Sequence, residues 1–525
     1  MSQEILISLI PFWATIVPII AGVAIFLTGI RPGRAFSNIE YDGLLESNPT
    51  EHQPPALVGV LRNLFLLLGT IIPFALVLYM YPLVREGMVV VGRIDVLPPL
   101  GLNFQVDIFS LYMGLLFTFF GLIIVIYSIG YMKGDPLPQR FFGFLMLVYG
   151  GSLGVVLAGD LFSLFLFFEF MSIVYFVLVV HNSTAEQVAA GVKFLFMTIL
   201  AGVALFLAVV ITYRDTGSLA LDSPGLFNDI TSFSLLAFLG FLIAFGTKSA
   251  MFPLHFWAPD AYTFAPLPAA LLSSAIMLKT GVYGLVRVFY NVFGVEFWGT
   301  VAWDNVLIVI AAFTILFGST IAIAQDDIIR RLAYSGIAQM GYIILGIAIL
   351  TPYALTGAVY HIMAHAFMKG GMFLCAGSII KGTGNRSIRK MKGIGYQLPI
   401  TMLAFTITAI TAVGMPPFNL FLAKWHLSLG ALEINQPVLV LILLISSLLN
   451  AAYYLPIAYN AFFGESADGA DIHHRDFKIS NFKEPGALML APIIVLAIGC
   501  FIFGLPVYNL PLDIVQSITS LLYGF

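Results

Sequence analysis

Apolar runs of about 20 residues follow one another along almost the whole chain, separated by short polar or Gly/Pro-rich turns. Inside each run the apolar residues are continuous rather than alternating, which predicts helices and not the alternating strands of a membrane barrel. A bilayer core offers no partners to backbone amides, so only helices or closed barrels can cross it. About fourteen runs can be placed, and the expected fold is an all-α polytopic membrane protein. The first run, near Ile5 to Gly29, is too long for the apolar core of a secretory leader, and no cleavable signal is expected. One stretch departs from the pattern. Val89 to Val106 is amphiphilic, is interrupted by Pro98 and Pro99, and ends in the alternation Leu102, Phe104, Val106, so a hairpin on the outer side is expected there.

The placement of lysine and arginine predicts an orientation. With the N-terminus outside, inward loops carry Arg31, Arg34, Lys133, Arg140, Arg330, Arg331, Lys381, Arg386, Arg389, Lys390, Lys392, Arg475, Lys478 and Lys483. Outward loops carry little beyond Arg85, Arg93 and Arg214. That asymmetry predicts a multi-pass protein of the cell (plasma) membrane with both termini outside and an even number of spans. Two polar loops, Arg31 to Pro55 and Glu465 to Pro485, then fall in the cytoplasm. Each reads as a solvated connector or as a docking surface for a partner subunit.

Composition narrows the chemistry. The chain is 60% hydrophobic and 10% charged, and its formal charge of −3 is too small to suggest nucleic-acid binding. Its two cysteines, Cys375 and Cys500, lie far apart inside apolar runs, which argues against an iron–sulfur or zinc centre. No nucleotide loop stands in a credible context. No flavin, haem, cluster or quinone motif is visible either, so no cofactor and no redox catalysis are expected in this chain.

Against that background, Glu169, Lys193, Lys248, Lys279, His361, His365, Lys369 and Lys424 fall within apolar runs. A charged side chain at bilayer depth costs at least about 2.5–3.5 kcal/mol, and such groups mark ion paths or relays. From Asp160 to Glu169 the chain climbs roughly 14 Å of helix, placing the carboxylate well inside the membrane. A lone carboxylate there would be neutral unless a cation lay near it, and Lys248 is the natural partner. If they pair, the pair either gates protonation elsewhere or only fixes helix packing. Lys193 lies near the start of its run, where its long stem can reach the interface; it stands as an alternative relay residue.

Pro253 follows Lys248, and Pro416 and Pro417 precede Lys424, so two helices are expected to break beside a lysine. Interrupted helices at matching places point to a transporter's ion site, and a spacing of five spans makes the second copy inverted. Lys279 lies between the two breaks in sequence, among apolar neighbours, where an amine can exchange a proton at cellular pH. His361, His365 and Lys369 are spaced four and four, on one helix face and about 6 Å apart along it. A row of that kind suits proton hopping. Its rivals are metal or haem ligation, for which a third ligand is missing, and a hydrogen-bonding role for one histidine.

The stretches LNFQVDIFSLYM, DLFSLFLFFEFMS, KSAMFPLHFWAPDAY with APLPAALL, LKTGVYGLVR, QDDIIRRLAYSGIAQMGY, HIMAHAFMKGGMFLCAG and GMPPFNLFLAKW run in order from about residue 100 to 430. Together they resemble the proton-conducting membrane transporter family of respiratory complex I, Mrp-type cation/proton antiporters and membrane-bound hydrogenases. The resemblance implies fourteen helices with two inverted five-helix repeats, the fourth to eighth and ninth to thirteenth, and broken helices seven and twelve. The implied divisions are 1–140 (helices 1–3, with loop 31–55), 141–295 (first repeat), 296–464 (second repeat) and 465–525 (cytoplasmic loop and last helix). By position, Glu169 matches the family's fifth-helix glutamate, Lys248 its seventh-helix lysine and Lys279 its central lysine. His361, His365 and Lys369 match the second relay, and Lys424 the terminal residue of the twelfth helix. A lysine at 424 is similar to the Mrp D-type and the complex I N- or L-type proteins more than the M-type, with the Mrp D-type the nearest pattern. Where relatives often have Lys-Arg before LAYS, this chain has Ile329-Arg330-Arg331, so a role for a basic residue at position 329 is not expected.

The expected function is an antiporter-like proton, or cation/proton, translocating subunit of a multisubunit membrane complex. Its expected partners are antiporter-like and small helical membrane subunits, a peripheral redox module in some assemblies, and protons with sodium as a second candidate cargo. Two rivals stand beside it: a quinone-binding subunit of a membrane oxidoreductase, and a scaffold whose buried charges only pack helices.

Overall fold

The computed structural model describes residues 4–29, 56–97, 100–222, 225–227, 229–464, 482–505 and 510–524. The loop Arg31 to Pro55, most of the stretch Glu465 to Pro485, and Pro98 with Pro99 lie outside them.

The first helices are α1 (Ile10–Gly29), α2 (Ala56–Arg85), α3 (Ile108–Tyr131), α4 (Pro138–Leu157), α5 (Leu161–Val179) and α6 (Ala185–Thr216). Next comes a helix in two pieces, α7 (Ser232–Lys248) and α8 (Trp257–Phe264). The following rod, Leu267–Phe293, contains α9 (Leu267–Leu272) and α10 (Leu278–Arg287), joined by a π-helical turn at Ser273–Met277. After the short α11 (Val295–Val301) come α12 (Trp303–Ala324), α13 (Ile328–Ala348) and α14 (Pro352–Thr383). A second divided helix, α15 (Pro399–Val413) and α16 (Asn419–Glu433), precedes α17 (Pro437–Phe463), α18 (Ala487–Ile502) and α19 (Leu510–Tyr523).

Local chemistry accounts for many boundaries. Asp107, Asp160, Thr184, Thr231, Asp327 and Thr351 each accept a backbone N–H three residues on, satisfying donors that a helix start leaves free. The 32-residue helices α6 and α14 both stop at a glycine with φ of 70°, Gly217 and Gly384.

Among the described residues, ten helices are long and apolar enough to cross a membrane. The rod Leu267–Phe293 and α14 are buried along their spans, whereas α2 and α17 bury only a third of theirs. The peripheral helices turn large apolar side chains outward, among them Phe196, Val203 and Leu448. Faces that apolar are stable against lipid tails and not against water. The core therefore surrounds α14, which packs on α3, the Leu267–Phe293 rod, α13, α15, α16 and α18.

The stretch expected as a hairpin is one. Strand β2 (Val89–Leu97) pairs antiparallel with β3 (Leu100–Val106), and β1 (Ile5–Ile7) joins β2 in parallel. The first apolar run thus begins as a strand, and its helix starts at Ile10. Asn103 ties the hairpin to the head of α5, its amide donating to Ser163 Oγ at 2.9 Å and its side chain donating to Asp160.

Both expected helix breaks are present. After Lys248 the chain leaves the helix through Ser249 and Ala250, and the Thr247 carbonyl accepts from Ala250 N at 3.1 Å and from Trp257 Nε1 at 2.8 Å. In the second break α15 ends at Val413, Gly414 turns with φ of 84°, and α16 begins at Asn419.

Candidate functional site

The charged residues gather where the two breaks meet the buried rods. Lys279 lies two residues beyond the π-helical turn, and its amine donates to the Ser274 carbonyl within that turn. A π turn shifts the backbone ladder and leaves a carbonyl for an outside donor. The same amine is 2.7 Å from His365 Nδ1. His365 and His361 stack on one face of α14 with ring centroids 6.3 Å apart. His361 Nε2 lies 2.9 Å from Gln339 Oε1 of α13, and its ring stacks on Tyr342 at 5.3 Å. Lys424 completes the row, its amine 5.1 Å from the centre of the Tyr342 ring.

Lys424 belongs to α16 but reaches back across the break. Its amine donates to the carbonyls of Ala412 at 3.2 Å and Val413 at 2.9 Å, and to Ser447 Oγ at 2.8 Å. The carbonyls that a broken helix leaves unpaired are therefore its counter-dipoles. Lys279, His361 and His365 are wholly buried, and Lys424 nearly so. Several polar atoms along the row have no protein partner: Ser274 Oγ, His365 Nε2, His361 Nδ1 and Gln339 Nε2.

Lys369 continues the spacing on α14 but turns aside. It donates to the Leu332 carbonyl at 2.9 Å, to Tyr454 OH at 2.7 Å and to Ser335 Oγ, forming a branch toward α13 and α17 rather than the next step of the row.

On the other flank, Lys248 donates to Ser172 Oγ and lies over the Phe168 ring, 4.9 Å from its centre. Ser172 is three residues along α5 from Glu169, so lysine and carboxylate are neighbours without a direct ion pair. Glu169 presses its carboxyl against Gly202 of α6, where an added Cβ would come within 2.5 Å of it, and Oε1 has no protein partner. The two flanks are in contact. Gly281 of α10 packs against the first break so closely that a Cβ there would stand 2.7 Å from Ser249 N and 3.0 Å from Lys248 Cβ.

Lys193 lies elsewhere. Its side chain is 47% exposed and paired with Asp260, which Arg330 also approaches at 3.5 Å. Ile329 is buried, and the neighbouring Arg331 donates to the carbonyls of Gln325 at 3.0 Å and Tyr453 at 2.9 Å.

Reasoning from sequence missed a second buried charge cluster. Arg287, two turns beyond Lys279, pairs with Asp107 at 2.7 Å and donates to Ser110 Oγ and Tyr283 OH. Burial pushes the Asp107 carboxyl up, but the charge and hydrogen bond of Arg287 together with the hydrogen bonds from Ser110 leave it below its ordinary value. The signal was present as an arginine inside the run LKTGVYGLVR; its partner lies 180 residues away. Ser172, Gln339, Tyr342, Ser447 and Tyr454 were likewise unmarked, because a lone hydroxyl or amide in an apolar run is usually satisfied locally.

A family model described as "NADH:quinone oxidoreductase/Mrp antiporter, TM" matches residues 158–450. A second, "NADH-Ubiquinone oxidoreductase (complex I), chain 5 N-terminus", matches residues 99–142. The N subunit of NADH-quinone oxidoreductase from Desulforudis audaxviator is 38% identical over 423 residues, 78% of this chain and 83% of that protein. The D-type Na(+)/H(+) antiporter protein of Alkalihalophilus pseudofirmus is 28% identical over 430 residues, 80% of this chain and 84% of that one. Among solved structures, an archaeal membrane-bound sulfane sulfur reductase contains a chain of like fold, with a TM-score of 0.81 at 24% identity over 98% of each chain.

Proposed function

This chain belongs to the NADH:quinone oxidoreductase/Mrp antiporter transmembrane family, and on that footing we propose that it carries protons along the row Lys279, His365, His361, Tyr342 and Lys424. It is an antiporter-like membrane subunit, the kind of protein its relatives are in Mrp and complex I assemblies. Protons enter from the cytoplasmic side and load Lys279. They pass along the histidines to Lys424 and leave on the opposite side. The observation that carries this reading is the contiguity of the row. Five groups able to exchange or orient a proton stand in succession from the rod packed on the first break to the second broken helix.

The polar atoms without protein partners support water along the same path. Leaving a buried polar group dry costs about 1–3 kcal/mol, so internal water that completes these bonds is favoured. Water also bridges the 6.3 Å step between the two histidine rings, whose two nitrogens can each take or give a proton, and the hydroxyl of Tyr342 can rotate to pass one on.

Glu169 and Lys248 act as the electrostatic gate. Because Ser172 rather than Glu169 accepts from Lys248, the coupling works through space between neighbours, and a shift of charge on either changes how readily Lys279 is loaded. Lys369, with Ser335 and Tyr454, supplies a side branch by which protons reach the row from the α13–α17 side. The matched breaks support a further reading: fourteen spans in two inverted five-helix repeats, with both termini outside. The family supports companion membrane subunits, with either an electron-transfer module or a cation gradient as the driving partner, and sodium as a candidate counter-ion.

The test is Glu169→Gln in vesicles containing the purified native complex. Assembly stays intact and proton transport is abolished. Full transport in that variant would remove the gate from the mechanism, and separate loss of Lys279 and Lys424 without effect would leave the row a packing device. Identifying the companion chains of the native complex distinguishes an electron-transfer assembly from an Mrp-type one.

A further inference from the structure

We propose that the end of the bundle where α3 and α14 finish and α18 begins holds the headgroup of an anionic phospholipid, with one acyl chain lying along the same three helices. A cavity of about 370 Å³ opens there, and Lys133, Lys381 and Lys483 contribute to its wall with no carboxylate among the lining side chains. Lys133 and Lys483 are exposed. Among the described residues, the acids next in sequence to the lining turn to other partners: Asp135 pairs with His181 at 3.0 Å, and Glu484 accepts from the amides of Ile400 and Thr401. Among the described residues the lining side chains therefore present an excess of positive charge.

Lys381 has a second part in the arrangement. Its amine donates to the carbonyls of Gly130, at 2.8 Å, and Tyr131, the last residues of α3. A helix C-terminus carries partial negative charge that would repel an anion. Lys381 offsets it, and Gly486, Ala487 and Leu488, at the start of α18, line the same cavity.

The position identifies the ligand as a lipid rather than a soluble anion. The cavity sits at the level where spans end, and basic pockets between transmembrane helices at that level recognise anionic headgroups. Leu488, beside it, is 41% exposed. Further along the same helices a wholly apolar cavity of about 420 Å³ is lined by Leu116, Phe119, Phe367, Val495, Ile498 and Phe503, among others. From Gly130 back to Phe119 the helix covers about 16 Å, close to the ~15 Å depth of one bilayer leaflet. A chain anchored at the lysines therefore ends in that cavity.

The proposal does not depend on the proton row and survives its failure. It is tested on the purified full chain in neutral detergent, following thermal melting during titration with dioleoyl phosphatidylglycerol, dioleoyl phosphatidylcholine or inorganic phosphate. Phosphatidylglycerol should raise the melting temperature at lower concentration than phosphatidylcholine, and phosphate should not. The double variant Lys133→Gln/Lys483→Gln, which keeps the Lys381 cap, should need about thirtyfold more phosphatidylglycerol for the same shift. Equal responses to the two lipids, an unchanged titration in the variant, or a phosphate effect matching that of phosphatidylglycerol would each overturn it.

Discussion

Gly414→Ala separates the position of the Lys424 charge from its presence. Gly414 has φ of 84°, and a Cβ there would lie 2.7 Å from Lys424 Cδ and 3.1 Å from both Cε and Nζ. Ordinary carbon contacts begin near 3.5 Å, so the lysine stem must retreat by about 1 Å. Its hydrogen bonds to Ala412, Val413 and Ser447, now 2.8–3.2 Å, then stretch past useful length. The stem is flexible, so this retreat adds little to the backbone cost of alanine in the left-handed region, about 1–2 kcal/mol. Gly217→Ala is the matching control, because Gly217 has φ of 70° with nothing within 4 Å of an added Cβ. The two variants should therefore melt at similar temperatures. Transport should differ: misplacing a reacting group by 1 Å can cost about a hundredfold in rate. Proton uptake into vesicles, compared at equal protein content, should fall ten- to a hundredfold in Gly414→Ala and stay near wild type in Gly217→Ala. Equal transport in the two would refute the claim that the placement of Lys424 at the break matters.

The same logic applies to the other flank: Gly202→Ala drives a methyl into the Glu169 carboxyl and should lower vesicle transport severalfold while the charge remains. Lys193→Gln, at an exposed pair worth at most about 1 kcal/mol, should leave transport within about twofold of wild type, and a large loss in that assay would bring Lys193 back into the path. Arg287→Met strands the buried Asp107 carboxylate and should cost about 3–5 kcal/mol. Arg287→Met/Asp107→Asn, which keeps a capping side chain on α3, should recover a good part of this in denaturant melts, and no recovery would show that Arg287 acts mainly through Tyr283 and Ser110.

Much of this molecule is written in local pattern. The spans follow from run length because a lipid core accepts no unpaired backbone amide. The breaks at Pro253 and at Pro416–Pro417 follow from the missing proline N–H. The alternation after Pro99 marked the hairpin, and the four-residue spacing placed His361 and His365 on one face. The spacing gave the face of Lys369 but not its partners, because its long stem swings to the acceptors Leu332, Ser335 and Tyr454.

What tertiary structure alone decided is which neighbour each buried polar group meets. A helix face is a property of about four residues in sequence, whereas the contacts of Lys279 with His365, Lys424 with Tyr342 and Arg287 with Asp107 join helices far apart in the chain. Nothing local encodes them; they arise from how α10, α13, α14 and α16 pack. In a core of low polarity each titratable group must end beside some partner, since solitude there costs several kcal/mol. The sequence by itself showed that Lys248, Lys279, His361, His365, Lys369 and Lys424 would fall within apolar helices. Packing chose their order, and with it the exposed pairing of Lys193 with Asp260, the turn of Lys369 toward Tyr454 and the donation of Lys248 to Ser172 rather than to Glu169.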